Sequence, residues 1–559
     1  MTATSEVLYT FPADPNGDSK AVEWPGTPIG PSNCITRTKS RTQFHDKAID
    51  AKPGRREELL DSVVQYIVTH AREKPIYSHD VVIHGVRVRA VTNSDHLIDF
   101  WRDNWYSVDE WQAVTGRTAP EKPQIRVYAF GGVEDQAEGA YYSRSANTVI
   151  FFNTSYYGQL KSWVLGAVGR VLADDYGIHS IHGAAVEKDG KGVLYIAPTG
   201  TGKSTSSYGL MHFPNTRFHS DDWVYVRYVY HTRDGRLVGP RLIEAPDGTM
   251  VRGYRCFRWL ENHPQVDAPL IGLTPDNEEV ALRTSDLDLS RGLEAYGYIS
   301  EKVFYLRCNL VENFPEAAAE ILNSKMENVP DVTPAFMEKH RELVESVART
   351  VMESDNPRLR QALAGKSPEE VKIAMARLFA FDNARAMLDI TKVFERERCY
   401  VDPLEGLHLT TVFLLKRNFD TDDVLERLSL ERFMERLLIG ETPMGTREIA
   451  YNAYRATDDE SERKWIAWLE AEAKAQGRPL YHLFEERRDV PDSLLEEFEL
   501  FRAMYRACAC YDLNTILQKD PAIKDRQEAV ARTMQLIAAA IDQRPQGRYT
   551  IANYAALLR

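Results

Sequence analysis

Residues 197–205 carry residue types that bind the phosphate groups of a nucleotide. They read Ala-Pro-Thr-Gly-Thr-Gly-Lys-Ser-Thr, directly after the short apolar run 193–196 and before a helical pattern. A strand, a glycine-rich loop and a helix in this order are typical of a phosphate loop, although Ala197 stands where the usual pattern has glycine. The predicted nucleotide-binding residues are Thr199, Gly200, Thr201, Gly202, Lys203, Ser204 and Thr205.

The chemistry of phosphate binding explains these residue types. Gly200 and Gly202 allow backbone N–H groups to approach phosphate oxygens closely, at a helix N-terminus whose dipole favours anions. Lys203 would neutralise the β- and γ-phosphates, and the Ser204 hydroxyl would bind a magnesium ion. The alternative is a chance glycine-rich turn between a strand and a helix. It is disfavoured because the strand before the loop, the loop itself and the helix after it all fit the pattern of a phosphate loop.

An acidic pair, Asp221-Asp222, precedes an alternating, strand-like segment at 223–230. Phosphoryl transfer needs one carboxylate to hold the metal ion and one to accept the proton of the attacking hydroxyl, and two carboxylates at a strand end suit both tasks. Taken alone, a double aspartate is more often a helix cap or a solvated turn. Its position after a phosphate loop favours the functional interpretation.

A histidine lies upstream of the loop. Residues 180–186 predict a strand, and Asp189-Gly190 predicts the turn that joins it to the strand at 193–196. This hairpin would bring His182 near the far end of the phosphate loop, where it could contact the γ-phosphate or the metal ion. On residue type alone, a hydrogen-bonded structural histidine is the favoured alternative.

Several segments resemble phosphoenolpyruvate carboxykinase in order and spacing. They are 154–161 (Thr-Ser-Tyr-Tyr-Gly-Gln-Leu-Lys), 177–182 (Gly-Ile-His-Ser-Ile-His) and 188–190 (Lys-Asp-Gly), followed by the phosphate loop and the Asp pair. They look equally similar to the related HPr kinase/phosphorylase group, whose members join a His-Gly strand, a phosphate loop and an Asp-Asp pair. The resemblance covers 154–230, and a weaker similarity is found at 302–306.

The resemblance implies roles for individual residues. Tyr156 matches a substrate-side tyrosine, and Lys161 matches the first of two adjacent lysines at the substrate. His182 matches a histidine at the metal ion and the γ-phosphate. Asp222 corresponds to the metal-binding aspartate of the carboxykinases, and Asp221 to the aspartate that serves as base in the kinase group.

Two departures from the carboxykinase pattern bear on the reaction. The second lysine of that pattern binds the catalytic manganese ion, whereas this chain has Ser162 there, and Gln159 replaces the usual glutamate. A neutral hydroxyl would weaken this second metal site, which puts decarboxylation of oxaloacetate in doubt. Kinase chemistry needs only one nucleotide-bound magnesium ion, or manganese in its place, and survives the change.

Composition excludes several classes of protein. The formal net charge is -13, with 43% apolar and 27% charged residues, which argues for a globular protein and against nucleic acid as its main partner. No stretch reaches the length of a membrane span. The six cysteines show no paired spacing, as is typical of proteins of the reducing cytoplasm, where we expect this one.

Changes in pattern along the chain predict four segments. We expect an extended arm at 1–55, a small α+β domain at 56–153, a carboxykinase-like α/β nucleotide-binding core at 154–315 and an all-α domain at 316–559. Two predicted helix caps lie in the last segment, Ser367 with Glu370 and Ser493 with Glu496. We expect acceptor specificity, or the contacts of a homo-oligomer, to reside there.

These observations favour a cytoplasmic kinase that uses ATP and Mg²⁺ to phosphorylate a hydroxyl of a small metabolite or of a protein side chain. Two alternatives stay open: a carboxykinase that makes phosphoenolpyruvate from oxaloacetate, and a nucleotide-sensing protein without turnover. The sequence identifies neither the acceptor nor the base-reading residues that would separate ATP from GTP or pyrophosphate.

Overall fold

The computed structural model describes residues 7–10, 21–23, 33–35, 47–50, 52–72, 75–153, 157–197, 203–306, 332–355, 357–380, 385–389, 391, 394–438, 440–441, 447–448 and 459–559. These residues belong to two units. The first comprises described residues within 1–10, 21–164 and 301–395, and the second comprises those within 165–300 and 396–559. Each unit is therefore assembled from segments that lie far apart in the sequence.

The first unit contains a sheet with both parallel and antiparallel pairs. Its described strands pair in the order Lys47–Ala48, Gly139–Ser143, Thr148–Phe152, Ile125–Phe130, Val86–Thr92, Tyr77–Ile83 and Tyr106–Ser107. The helices beside them in sequence are Arg55–His70, Asp95–Asn104 and Val108–Thr115. The hairpin turn between two of the strands, at His84-Gly85, needs positive φ at both residues, and their values are 44° and 83°.

Residues 301–395 add helices and a small antiparallel sheet to this unit. The helices are Pro334–Lys339, Arg341–Glu353, Pro357–Leu363 and Pro368–Ala380, and the sheet order is Val303–Leu306, Arg385–Asp389, Asn33–Ile35. Val7–Thr10 and Ala21–Glu23 pair separately. The predicted capping box is confirmed: the Glu370 N–H donates to Ser367 Oγ at 3.3 Å, and the Ser367 N–H donates to Glu370 Oε2 at 2.8 Å.

The second unit is organised by one large sheet. Its described strands follow the order Glu279–Arg283, Pro269–Leu273, Leu237–Glu244, Trp223–His231, Ile178–Lys188, Lys191–Ile196, Leu407–Lys416, Ala509–Asn514, Asp423–Arg427 and Arg548–Thr550, while Thr216–Ser220, Met250–Arg252 and Glu294–Ile299 pair beside this path. Lys191–Ile196, Leu407–Lys416 and Ala509–Asn514 are parallel neighbours. Their carboxyl ends share one edge, which is where parallel sheets usually bind ligands.

Helices and short turns complete the second unit. The helices are Lys203–Leu210, Arg255–Asn262, Leu430–Leu438, Asp459–Gln476, Leu480–Glu486, Asp492–Ala507 and Arg526–Gln543, with 3₁₀ turns at Thr284–Asp286, Arg396–Arg398, Leu517–Lys519 and Tyr554–Leu558 and a strand pair Gly440–Glu441 with Arg447–Glu448. Helix Tyr157–Tyr176 begins in the first unit. Among the described residues, no helix combines the length and the apolar character needed to cross a lipid bilayer.

The predicted cap of helix Asp492–Ala507 is wrong. The N-cap residue is Pro491, without a side-chain cap, and Ser493 Oγ hydrogen-bonds to Glu462. Glu496, the expected capping partner, is buried and bonded to another helix. Tertiary partners therefore outcompete the local cap. The aromatic residues of this helix pack in the core: Phe498 stacks on Phe484 with ring centroids 3.6 Å apart.

The prediction that 316–559 is entirely helical is also wrong. Strands Leu407–Lys416, Asp423–Arg427, Ala509–Asn514 and Arg548–Thr550 lie in this region and join the large sheet. Leu407–Lys416 is mostly buried along its length, so its residues do not alternate between apolar and polar. A short continuous apolar run cannot be told from a buried helix by periodicity. Its two parallel partner strands, Lys191–Ile196 and Ala509–Asn514, are both distant in sequence, the first by more than 200 residues.

A buried ion cluster lies at the edge where the parallel strands end. Lys416 Nζ is 2.7 Å from Asp512 Oδ2, and Arg436 Nη2 is 3.0 Å from Asp512 Oδ1. Burial would raise the pKa of the Asp512 carboxyl, but Arg436 and Lys416 outweigh it and hold that pKa below its usual value. The cluster therefore ties two neighbouring strands to helix Leu430–Leu438 at this edge.

A second buried carboxyl group behaves in the opposite way. Glu496 accepts a hydrogen bond from Arg170 Nη1 at 3.0 Å. Burial, assisted by Asp174 and Glu497, nevertheless raises the pKa of Glu496 to about 7. Because this pKa lies above that of an unfolded glutamate, the folded state binds the extra proton. The free energy of unfolding therefore falls as pH rises from the unfolded pKa to about 7.

We expect Glu496→Gln to stabilise the protein at pH 8 by about 2–3 kcal/mol and to have little effect near pH 4, because glutamine removes the cost of a buried charge. Urea unfolding at the two pH values measures the difference. Glu353→Gln, at an exposed helical position, is the matched control and should change neither value. An equal effect of Glu496→Gln at both pH values would contradict the prediction.

Candidate functional site

Three side chains singled out by the sequence converge in the second unit. Lys203 Nζ is 3.0 Å from His182 Nε2 and 3.5 Å from Asp222 Oδ1. His182 Nε2 is 3.2 Å from the same Asp222 oxygen. The side chains of Lys203 and His182 are each 13% exposed and that of Asp222 is 30% exposed, so the group is sheltered but open on the aspartate side. We call these residues the Lys-His-Asp triad.

Strand pairing places His182 in the triad. It lies on Ile178–Lys188, which we call the histidine strand, between two antiparallel neighbours. On one side Gly183 pairs with Ile196, the last residue of Lys191–Ile196, which we call the loop strand. On the other side His182 pairs with Trp223, directly after the Asp pair. His182 therefore lies beside the Asp pair, and the next residue, Gly183, lies beside the end of the loop strand.

Gly183 has a physical reason to follow the histidine. A Cβ atom there would lie 2.9 Å from the Tyr195 carbonyl oxygen and 3.1 Å from Leu194 Cδ1, so a larger residue would push the histidine strand from the loop strand. The Gly183 N–H also donates to the Asp222 carbonyl at 3.1 Å. This residue thus holds the backbone of the Asp pair beside the histidine.

Lys203 is the first residue of helix Lys203–Leu210, which follows the loop strand after the phosphate-loop segment. The helix contacts both the histidine strand and the loop strand. At Gly209 a Cβ atom would come within 2.5 Å of Met534 Sδ, which shows how closely helix Arg526–Gln543 approaches. Packing on two sides therefore fixes the direction in which Lys203 leaves its helix.

The two aspartates have different surroundings. Asp221 is 8% exposed, whereas the Asp222 side chain is 30% exposed and faces Lys203 and His182. Both residues lie in the bend between strands Thr216–Ser220 and Trp223–His231. Asp222 is therefore the more accessible carboxylate of the pair.

The segment that carries the Asp pair is held by polar side chains that sequence reasoning did not single out. His219 Nε2 donates to the Gly297 carbonyl at 3.2 Å, and Ser220 Oγ donates to His219 Nδ1 at 3.0 Å. Burial lowers the pKa of His219 to about 3, so this ring is neutral and structural. No motif marks it, because its partner lies on a strand 78 residues further along.

Trp223 is fixed in the same manner. Its indole Nε1 donates to Ser180 Oγ at 2.6 Å, and its carbonyl accepts from Ser300 Oγ at 3.1 Å. The His182 and Trp223 rings lie with centroids 5.6 Å apart, so the indole limits the movement of the imidazole. The histidine of the triad therefore packs against a side chain that is itself held by hydrogen bonds.

Asp222 offers the triad's one type of ligand that Mg²⁺ prefers, a carboxylate oxygen. This oxygen lies 3.2 Å from His182 Nε2 and 3.5 Å from Lys203 Nζ. Within the described part of the chain, no group of three His, Cys, Asp or Glu side chains could hold a metal ion by itself. Further ligands would have to come from phosphates, water or Ser204.

The other predicted site residues divide into two groups. Tyr156, Thr199, Gly200, Thr201 and Gly202 lie outside the described residues, as do the side chains of Ser204 and Thr205. Lys161 is described and belongs to the first unit, where its Nζ is 2.8 Å from Glu301 Oε1 and both side chains are 6% exposed. The predicted substrate lysine is therefore a buried, ion-paired residue in this structure.

No protein-family model matches this sequence, and a search of curated proteins finds no match.

Proposed function

We propose that this protein binds ATP with Mg²⁺ at the phosphate loop and transfers the γ-phosphoryl group to a hydroxyl acceptor. The observation that carries the proposal is the convergence of Lys203, His182 and Asp222. The three residues come from separate stretches of sequence. A kinase that uses ATP needs a cation, a metal-binding carboxylate and a further polar group at one point. A chance glycine-rich turn would not require this convergence.

The charge of Lys203 indicates how the contacts of the triad would change when MgATP binds. The Lys203 ammonium carries three N–H donors and no acceptor, and in the described triad it faces His182 and Asp222. The β- and γ-phosphates of ATP would compete for the same ammonium. Once the Lys203 ammonium contacts the phosphates, Asp222 would be available to bind Mg²⁺ together with Ser204. The ion then offsets charge on the phosphates.

Asp221 is the proposed general base. It precedes the metal-binding position by one residue and is largely buried, so its carboxylate is sheltered from water. In this role its carboxylate would reach the attacking hydroxyl and accept the hydroxyl proton as the new P–O bond forms. The acceptor is then a hydroxyl compound or a hydroxylated side chain.

The carboxykinase alternative has less support. Ser162, at the place of the metal-binding lysine in the resemblance, donates from its hydroxyl to the Gly158 carbonyl at 2.7 Å within its own helix. The neighbouring Lys161 is paired with Glu301. A coupled assay with oxaloacetate, ATP and Mn²⁺ separates the two reactions. A protein that only senses nucleotide would bind ATP and Mg²⁺ and release no product.

We expect Lys203→Ala to lower phosphoryl transfer by at least about 100-fold with an unchanged melting temperature, because it removes the cation at the phosphates while leaving the sheet intact. Labelled γ-phosphate transfer to a library of metabolites and proteins provides the measurement. Lys366→Ala, at an exposed position of the first unit, should leave transfer unchanged. Full turnover by Lys203→Ala would exclude the phosphate loop from the reaction.

Asp221→Asn and Asp222→Asn should have different effects. Loss of the base should reduce the rate of transfer by about 100-fold or more with little change in the Kd of MgATP. Loss of the metal ligand should weaken binding of MgATP much more than binding of ATP in EDTA. Isothermal titration and single-turnover transfer measure the two quantities. Equal losses of binding and rate in both variants would contradict the separate roles.

A further inference from the structure

We infer that the second unit binds a free amino acid with an apolar side chain, in a cavity away from the triad. The cavity has a volume of about 1020 Å³, which is at the upper end of the range for small-molecule sites. Its described lining comes from the hairpin turn after the histidine strand, from the segment after helix Lys203–Leu210 and from the turn Arg396–Arg398.

The cavity is separate from the triad. Glu187, which lines it, lies five residues beyond His182 on the histidine strand, and a rise of about 3.3 Å per residue separates the two by about 16 Å. Met211, another lining residue, lies eight residues beyond Lys203, which corresponds to about 12 Å along a helix. A ligand in this cavity is therefore not the phosphoryl acceptor, and its binding is a function beyond the proposed phosphoryl transfer.

Part of the charge around the cavity is balanced within the protein. Arg217 Nη1 is 3.8 Å from Glu187 Oε2, and the guanidinium of this arginine lies 4.0 Å from the centre of the Tyr400 ring. The Tyr400 hydroxyl donates a hydrogen bond to Glu187. Asp189 Oδ2 is 2.6 Å from Lys188 Nζ. These groups satisfy one another and form a charged wall of the cavity.

Two charged side chains of the lining lack such a partner. Among the described residues, neither Glu397 nor Arg398 has an oppositely charged side chain within ion-pair distance. Arg398 is fixed by its Nη2, which donates to the Met211 carbonyl at 2.8 Å and to Thr216 Oγ1 at 3.1 Å. Its Nε and Nη1 donors make no hydrogen bond to the described part of the chain, so an anchored guanidinium is available to a carboxylate.

The charge of the lining favours a zwitterion. The described lining contains three carboxylates and two guanidinium groups, those of Glu187, Asp189, Glu397, Arg217 and Arg398. A phosphate or a dicarboxylate would therefore meet more negative than positive charge. An α-amino acid brings one carboxylate for Arg398 and one ammonium for Glu397, the two groups without an ion-pair partner. Met211 and Phe213, also in the lining, offer apolar surface for its side chain.

Isothermal titration of the full-length protein without nucleotide tests this site. We expect saturable binding of at least one of L-leucine, L-methionine and L-phenylalanine. The N-acetyl derivative lacks the ammonium and the amide lacks the carboxylate, so each should bind at least about 10-fold more weakly than the free amino acid.

Substitutions should separate the two contacts. Glu397→Gln should weaken binding of the free amino acid by about 10-fold and leave that of the N-acetyl derivative unchanged. Arg398→Gln should weaken binding of the free amino acid by about 10-fold and leave that of the amide unchanged. Arg396→Gln, at an exposed position of the same turn outside the described lining, should bind every ligand as the wild type does.

The outcomes distinguish the free amino acid from other occupants. A lack of saturable binding for all three amino acids overturns the inference. Equal affinity for the N-acetyl derivative indicates a peptide carboxyl terminus as the ligand, equal affinity for the amide indicates a peptide amino terminus, and either result also overturns it. Unchanged affinity in Glu397→Gln, at an exposed position, does the same even if Arg398→Gln fails to fold. Because nucleotide is absent from the titration, failure here leaves the kinase proposal intact.

Discussion

The pairing of the histidine strand with a neighbour on each side is the constraint on which the rest of the site depends. His182 pairs with Trp223 in one register, and Gly183 pairs with Ile196 in the other. Successive residues of a strand face opposite sides of the sheet, so a slip of one residue would turn the imidazole away from Lys203. The close approach at Gly183 makes the register on the loop-strand side specific.

The triad holds opposite charges close together before any ligand binds. Lys203 lies within 3.5 Å of Asp222, and His182 lies between donor and acceptor groups. A largely buried cation is costly unless it is paired, so the aspartate and histidine stabilise the lysine in the ligand-free protein. In the proposed function, phosphate groups would replace these partners because they offer more negative charge to the same donors.

Buried ion pairs elsewhere in the second unit connect its strands and helices. Asp512 connects Lys416 and Arg436 across the parallel strands, and Glu496 connects its helix to Arg170. Both carboxyl groups are removed from water, yet their pKa values move in opposite directions. Two cations on one carboxylate outweigh the burial of Asp512, whereas a single arginine does not outweigh burial and two neighbouring acids at Glu496.

The sequence by itself determined the local features, because neighbouring residues produce them. The strand at 193–196, within Lys191–Ile196, follows from an apolar run, and the capping box at Ser367 and Glu370 follows from side chain to backbone bonds within a few residues. It also identified the members of the triad by residue type. Only the tertiary structure decided that Lys161 is paired with Glu301, that Ser493 bonds to Glu462, and that Leu407–Lys416 is a strand. Each of these depends on a partner far away in the chain, and a one-dimensional pattern carries no information about which distant groups compete for the same hydrogen bond, charge or sheet edge.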